Sequence, residues 1–205
     1  MKKYLLVLFF FCMGLTKVSA QFDLGTGMGL AFFNSPGLSD YINNGFSNST
    51  NELKSFNSSA DFFVELGYNV NKNYQVAIEY TFNIYSFNSP LNLSNYNLSI
   101  DRHKPTIVAY YVIPGNGYKF KFGAGAGVRI LKAEESIYGP VEYSTTGIGF
   151  LLKTQGDTKL SSDFYATISG EIRYDLPGEV HTLENNIINF NSFSIGLKLG
   201  VSYHF

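Results

Sequence analysis

The side chains able to do chemistry are few. The chain holds three histidines, His103, His181 and His204, and no two of them stand at metal-ligand spacing. His103 follows Asp101 and Ser99 at every second position, the only cluster of types suited to nucleophilic or acid–base work. Glu134-Glu135 is a pair of adjacent carboxylates of the kind that attracts calcium or moves protons, although most such pairs are simply solvated. The Gly-Ala-Gly-Ala-Gly run at 123–127 lacks the Gly-Lys-Ser/Thr step and the following helix of a phosphate-binding loop. The expectation is a chain without catalytic residues, cofactor or metal.

Those residues must be placed by something, and the ends of the chain suggest what. Residues 1–20 carry Lys2 and Lys3, an apolar run from Tyr4 to Leu15, and Val18-Ser19-Ala20 before Gln21, the three parts of a secretory signal. Cleavage is expected after Ala20, leaving residues 21–205 as one domain. The only cysteine, Cys12, falls inside the signal and follows three phenylalanines, so neither lipidation nor a disulfide is expected. Loss of three lysines leaves twelve basic against sixteen acidic side chains, a formal charge of −4 with no footprint for nucleic acid.

Read at period two, segment after segment separates into an apolar face and a small or polar face, as strands between two environments do. In the last segment Phe193, Ile195, Leu197, Leu199, Val201, Tyr203 and Phe205 alternate with Ser194, Gly196, Lys198, Gly200, Ser202 and His204. The pattern predicts eight strands at 22–33, 59–70, 74–87, 104–113, 118–131, 143–154, 161–175 and 190–205. The connections then alternate long and short. The short ones, 71–73, 114–117 and 155–160, are rich in Asn and Gly, with a Gly156-Asp157 step in the last. The long ones are 34–58, 88–103, 132–142 and 176–189. Short periplasmic turns, long extracellular loops and an even strand number describe an outer-membrane barrel with both termini on the periplasmic side.

Polarity alone leaves open which face meets lipid. The apolar faces of the clearest strands carry no charge, whereas Glu65, Glu79, Lys119, Lys121, Arg129, Glu171, Arg173, Asp175 and Lys198 share the opposite face and are assigned to the barrel interior. Tyrosines and phenylalanines near strand ends suit membrane-interface girdles. The chain also lacks the tryptophan that the soluble lipocalin family carries near its first strand. Gly25, Gly27, Gly29, Gly123, Gly125 and Gly127 are expected inside, making room for Phe63, Tyr85, Tyr111 and Tyr165.

Gln21-Phe22 after the signal, Gly25-Thr26-Gly27-Met28-Gly29, the run at 123–127 and the closing residues 196–205 resemble small bacterial outer-membrane barrels, in particular the PorT-like outer-membrane β-barrel family of Bacteroidota. The resemblance implies an eight-stranded antiparallel up-and-down transmembrane barrel. It also implies that Leu199, Val201, Tyr203 and Phe205 form the signal read by the barrel-assembly machinery, and it brings no catalytic motif. The expected partners are outer-membrane lipid, that machinery during biogenesis, and an unidentified extracellular ligand. The leading expectation is a non-enzymatic barrel with a structural or surface-interaction role, to which Tyr41, Phe46, Phe56 and Tyr96 contribute loop aromatics. The alternatives are a narrow pore and a lipid-modifying enzyme built on His103.

Overall fold

The computed structural model describes residues 21–46, 52–90, 95–136, 139–182 and 187–205. The expected signal at 1–20 lies outside the described residues. Eight strands close into one antiparallel barrel: β1 (Phe22–Asn34), β2 (Asn57–Asn69), β3 (Tyr74–Pro90), β4 (Asn95–Pro114), β5 (Tyr118–Ser136), β6 (Pro140–Lys159), β7 (Phe164–Leu176) and β10 (Ser192–His204). Each strand pairs with its chain neighbour, and β10 returns to β1 with Thr26 opposite Val201. A helix α1 (Pro36–Gly45) follows β1, and a small hairpin of β8 (Glu179–His181) and β9 (Ile187–Asn189) precedes β10. Both ends of the barrel chain meet at one rim, where the Phe205 N–H donates to the Phe22 carbonyl.

At that rim three tight turns join the strands. Asn71 Oδ1 accepts from the backbone N–H of Asn73 and Tyr74, Gly117 takes φ +82°, and the Leu160 N–H donates to the Phe164 carbonyl. The third turn is therefore at 161–163 and not at 155–160. Gly156 and Asp157 lie inside β6, because Asp157 continues the inward alternation and is taken up by interior partners.

The opposite end departs more from expectation. Residues 88–103 and 132–142 read as loops because they are rich in Asn, Ser and Glu, yet those of them that the structure describes, Gly139 apart, extend β3 to β6. Their side-chain alternation is intact but its sense is reversed. Up to Ile84 on β3, and from His103 downward on β4, the outward residues are apolar: Val76, Ile78, Tyr80, Phe82 and Ile84 on one strand, Ile107, Tyr111 and Ile113 on the other. Beyond that level the outward residues are Ser86, Asn88, Asn97, Ser99 and Asp101, while Tyr85, Tyr96, Leu98 and Ile100 turn inward and are buried. The same exchange occurs between Ile130 and Lys132 on β5 and between Thr146 and Ile148 on β6. Strand pairing joins these points around the wall, Ile84 opposite Asp101, His103 opposite Ile130 and Ile130 opposite Thr146.

The exterior apolar band runs ten residue steps along β3, from Tyr74 to Ile84. At a rise of about 3.3 Å and a tilt of about 40°, that is a belt about 25 Å tall, the height of the lipid-facing band of membrane barrels. Leu197, Leu199, Leu152, Ile107 and Ile168 stand about 60% exposed within it, an exterior suited to hydrocarbon and not to water.

Above the belt only β3–β6 continue, and the open side of the wall is filled by α1 and the β8–β9 hairpin. Leu38 and Ile42 from α1 pack with Phe33, Tyr85, Tyr96, Leu98, Ile100, Leu131, Val180, Ile188 and Phe190 into one apolar core. Segment 34–58, expected as a loop, thus contains a plug. Its helix begins at Pro36, where the missing N–H costs nothing, and Ser35 Oγ donates to the Asn191 carbonyl at 3.0 Å. Asn43 both donates to and accepts from the Leu53 backbone, pinning the return chain.

Candidate functional site: the charged interior

Inside the belt, successive inward positions carry the charges, and they meet in layers. Glu79 is at the centre, fully buried on β3. Lys153 Nζ lies 2.7 Å from it, Arg173 Nη2 contacts it, and Lys198 Nζ lies 3.8 Å away. Glu65 shares Lys153 at 2.8 Å and accepts from the Tyr110 hydroxyl at 2.7 Å. Glu171 holds Arg173 Nε at 2.7 Å and Lys198 at 3.0 Å. Three cations thus face three carboxylates, and each charge has its counter-ion within reach, the condition under which burial of ions is tolerated.

The layer nearer the termini joins Asp23 and Asp157 through Lys121, at 3.6 and 3.2 Å, with Lys119 at 3.7 Å from Asp23 and Gln75 donating to it at 2.7 Å. The layer nearer the plug joins Asp175 to Lys104 at 3.0 Å and to Arg129, and Asp61 to Asn83, whose Oδ1 accepts from Arg102 Nη1 at 3.0 Å. All nine charges assigned inward from sequence point there, Lys119 keeping about a quarter of its side chain exposed at the rim. Sequence reasoning did not single out Asp23, Asp61, Arg102, Lys104, Lys153 and Asp157 as partners. Alternation places Asp61 and Lys153 inside, whereas Arg102 and Asp157 were assigned to connections that are strand.

Phe63 and Tyr85 are buried inside, and Tyr165 stacks on the His204 ring at a centroid distance of 4.0 Å. Tyr111 is the exception. It points outward, 46% exposed, and its neighbour Tyr110 occupies the interior. Both faces of β4 are apolar through residues 107–113, so composition did not fix the phase there, and the ladder with β3 did.

One local feature of the wall explains an inward arginine. Pro105 lies in a central barrel strand, opposite Val128 in register, and has no N–H to give across the pair. The β4–β5 ladder breaks at Lys104 and Pro105. Arg129 Nη1 donates instead to the Val128 carbonyl at 2.9 Å and lies 3.5 Å from the Pro105 carbonyl. A side chain thereby satisfies a backbone group that hydrocarbon could not.

Ser99, Asp101 and His103 share the outward face of β4 at the level where polarity exchanges. The His103 ring stacks on Phe82, and its Nδ1 is 2.6 Å from the Tyr80 hydroxyl. His103 is therefore a strand residue, not a loop residue. His181 closes β8, exposed. Glu134 and Glu135 lie on β5 with opposite orientation, Glu134 outward and Glu135 inward, where it accepts from the Tyr41 and Tyr143 hydroxyls. Tyr41, Phe46 and Tyr96 pack against one another inside the mouth, with Phe46 stacked on Tyr96 at 4.4 Å, and only Phe56 of the four loop aromatics is exposed. At the other rim, Ser202 Oγ, His204 and Asp23 are ordered as in a hydrolytic triad, at 3.2 and 3.6 Å. Lys119 Nζ stands 2.7 Å from Nδ1, so that nitrogen accepts from the ammonium and the ring proton sits on Nε2, facing Ser202. In that tautomer the imidazole has no lone pair to take the serine proton.

Leu199, Val201 and Phe205 point outward into the belt, and Tyr203 packs edge-on between Phe164 and Phe205. A concavity of about 730 Å³ is also on the belt, where Ala109, Ala124 and Gly170 leave space between Tyr111, Phe122 and Leu152. It is apolar and suits acyl chains. Among the described residues no three His, Asp or Glu side chains converge as metal ligands.

No protein-family model matches the chain, and no curated protein matches it. Its likeness is to solved barrels. Neisserial surface protein A aligns over 90% of this chain and 97% of its own at TM-score 0.53 and 17% identity. The attachment invasion locus protein Ail of Yersinia pestis aligns over 92% of this chain and all of its own at TM-score 0.57 and 14% identity. The outer membrane protein OprG from Pseudomonas aeruginosa aligns over 91% and 97% at TM-score 0.52 and 11% identity. At these identities the likeness is one of fold: the chain has the architecture of the small outer-membrane barrels.

Proposed function

We propose that the protein is a non-enzymatic outer-membrane barrel that holds a polar β-platform above the lipid, with a structural or surface-interaction role. The observation that carries this reading is the exchange of polarity around β3–β6. Below it the wall is dressed for hydrocarbon. Above it the same strands are dressed for water for about 20 Å more, taking β4 from His103 to Asn95 at the rise and tilt of a membrane strand. The platform exposes Asn88, Asn97, Ser99, Asp101, Lys132, Glu134, Glu142 and Ser144, a surface suited to polar partners such as saccharides or another protein. The small turns, Phe22 and Phe205 lie at the other rim, which in this reading is periplasmic. There Leu199, Val201, Tyr203 and Phe205 remain available to the assembly machinery. The PorT-like resemblance of the closing strand supports the same placement.

A pore is not favoured, since Glu79, Lys153, Arg173 and Lys198 fill the section of the barrel and are at most 2% exposed. The test of placement is labelling of intact cells with a membrane-impermeant maleimide. Asn97→Cys is expected to label and Ser162→Cys to remain protected, and the reverse pattern would overturn the reading. For the role, cells whose hairpin between Ser86 and Ser99 is shortened should lose attachment to surfaces that bind the wild type. Retention of every such interaction counts against the platform.

A further inference from the structure

On the outward face of β4–β6, a concavity of about 440 Å³ lies immediately above the lipid belt. Two register rows line it, Asp101–Lys132–Ser144 and, one step farther from the belt, Ser99–Glu134–Glu142. Along β5, Ile130 is the last apolar residue of the outward face. At the rise and tilt of a membrane strand, Lys132 stands about 5 Å above it and Glu134 about 10 Å. The headgroup layer of a bilayer is about 5–8 Å thick on each side of the hydrocarbon. Lipid headgroups therefore stand against this part of the wall, whatever binds higher on the platform.

The charges of the concavity are not neutralised from within. Among the described residues Asp101, Lys132, Glu134 and Glu142 form no ion pair and no side-chain hydrogen bond. Glu134 stands directly opposite Glu142, a like-charge cross-strand pair that costs stability unless a cation comes between. Lys132, two residues nearer the belt on the same face, has Asp101 opposite it on β4 and Ser144 opposite it on β6. Three carboxylates beside one ammonium repel a ligand that is only anionic. A quaternary cation is attracted but has no N–H to donate, whereas a primary ammonium offers three donors to carboxylate oxygens. The pattern that fits carries an anion at the level of Lys132 and a hydrogen-bonding cation one row above it.

We propose that this concavity is a site for a lipid headgroup ending in ethanolamine phosphate, drawn from the leaflet that surrounds the platform. The phosphate takes the lower row, beside Lys132 and Ser144, next to the acyl chains to which it is joined. The primary ammonium reaches the upper row and is shared by Glu134 and Glu142, whose facing charges it separates. Asp101 turns away lipids that bring a phosphate alone. The inference rests on the belt marking the hydrocarbon, and it leaves the higher platform surface at Asn88 and Asn97 to the partner of the proposed function.

For the experiment, the protein is folded into vesicles holding phosphatidylethanolamine, phosphatidylcholine and phosphatidylglycerol in equal parts with the same acyl chains. The lipid kept after extraction in mild detergent is identified by native mass spectrometry. Phosphatidylethanolamine is expected in about fivefold excess over each of the others, as much as one good surface ion pair supplies. The excess should vanish when Glu134→Gln and Glu142→Gln are combined, two exposed positions at which folding is verified by heat-modifiable migration. A water-soluble carbodiimide, which joins a carboxylate to a primary amine, should couple the same lipid to Glu134 or Glu142 of the wild type, a reading of place that needs no variant. Equal retention of the three lipids, an excess that persists in the double variant, or coupling only at other carboxylates would overturn the proposal. So would retention of phosphatidylglycerol that requires magnesium, the mark of a bridging cation. Both vesicle leaflets hold the same lipids, so these outcomes do not depend on which rim faces outward, which the maleimide labelling tests separately.

Discussion

Replacing Arg129 by methionine removes two things at once, a partner of Asp175 and the donor that stands in for the missing N–H of Pro105. Breaking a buried ion pair from one side costs about 3–5 kcal/mol. Asp175 keeps Lys104 at 3.0 Å, so the lower end of that range is expected. Within it, leaving the Val128 carbonyl unpaired against hydrocarbon accounts for about 1–3 kcal/mol. Pro105→Ala restores an N–H opposite Val128. In the wild type that N–H competes with Arg129 Nη1 for one carbonyl and should gain less than about 1 kcal/mol, whereas in Arg129→Met it should recover about 1–3 kcal/mol. The two substitutions are thus coupled by about 1–2 kcal/mol, well above the few tenths seen between independent sites. Reversible urea unfolding in vesicles, followed by far-ultraviolet circular dichroism and heat-modifiable migration, measures all four proteins. Equal effects of Pro105→Ala in both backgrounds would show that Arg129 does not repair the ladder.

Glu79→Gln leaves Lys153, Arg173 and Lys198 sharing two carboxylates, and a loss of about 3–5 kcal/mol in the same urea assay is expected. Gly27→Ala would drive a methyl into the Leu199 carbonyl oxygen and to 2.8 Å from Phe63, a clash worth about 1–3 kcal/mol. Gly170→Ala meets nothing nearer than 3.6 Å and should unfold at nearly the wild-type urea concentration. A charge scan across the polarity exchange should separate Ile78→Arg, costing about 2–4 kcal/mol, from Ser86→Arg, costing about 0–1 kcal/mol. Similar costs at both positions would show that the edge of the lipid belt does not lie between them. In planar bilayers the wild type should pass no steady current, since Glu79, Lys153, Arg173 and Lys198 fill the section of the barrel. A stable conductance step would refute the filled section.

Alternation alone determined a great deal of this protein. A period of two in β5 and β10 tells inward from outward without knowledge of any neighbour, because each strand step turns the side chain over. That was enough to count eight strands and to gather Glu65, Glu79, Lys121, Arg129, Glu171, Arg173 and Lys198 on one side of the wall. It could not determine what depends on another strand. Residues 95–103 look like a loop because their outward side is polar, and only pairing with β3 and β5 shows them as strand with the inside and outside chemistries exchanged. The phase of Tyr110 and Tyr111, the partners of each buried charge, and the use of Arg129 to mend the gap at Pro105 likewise depend on register. Register is a relation between segments, fixed when the sheet closes from β10 onto β1 and the buried charges must find counter-ions. The plug is decided later still: Leu38 and Ile42 gain a core only once the extended strands raise an apolar inner wall for α1 to fill.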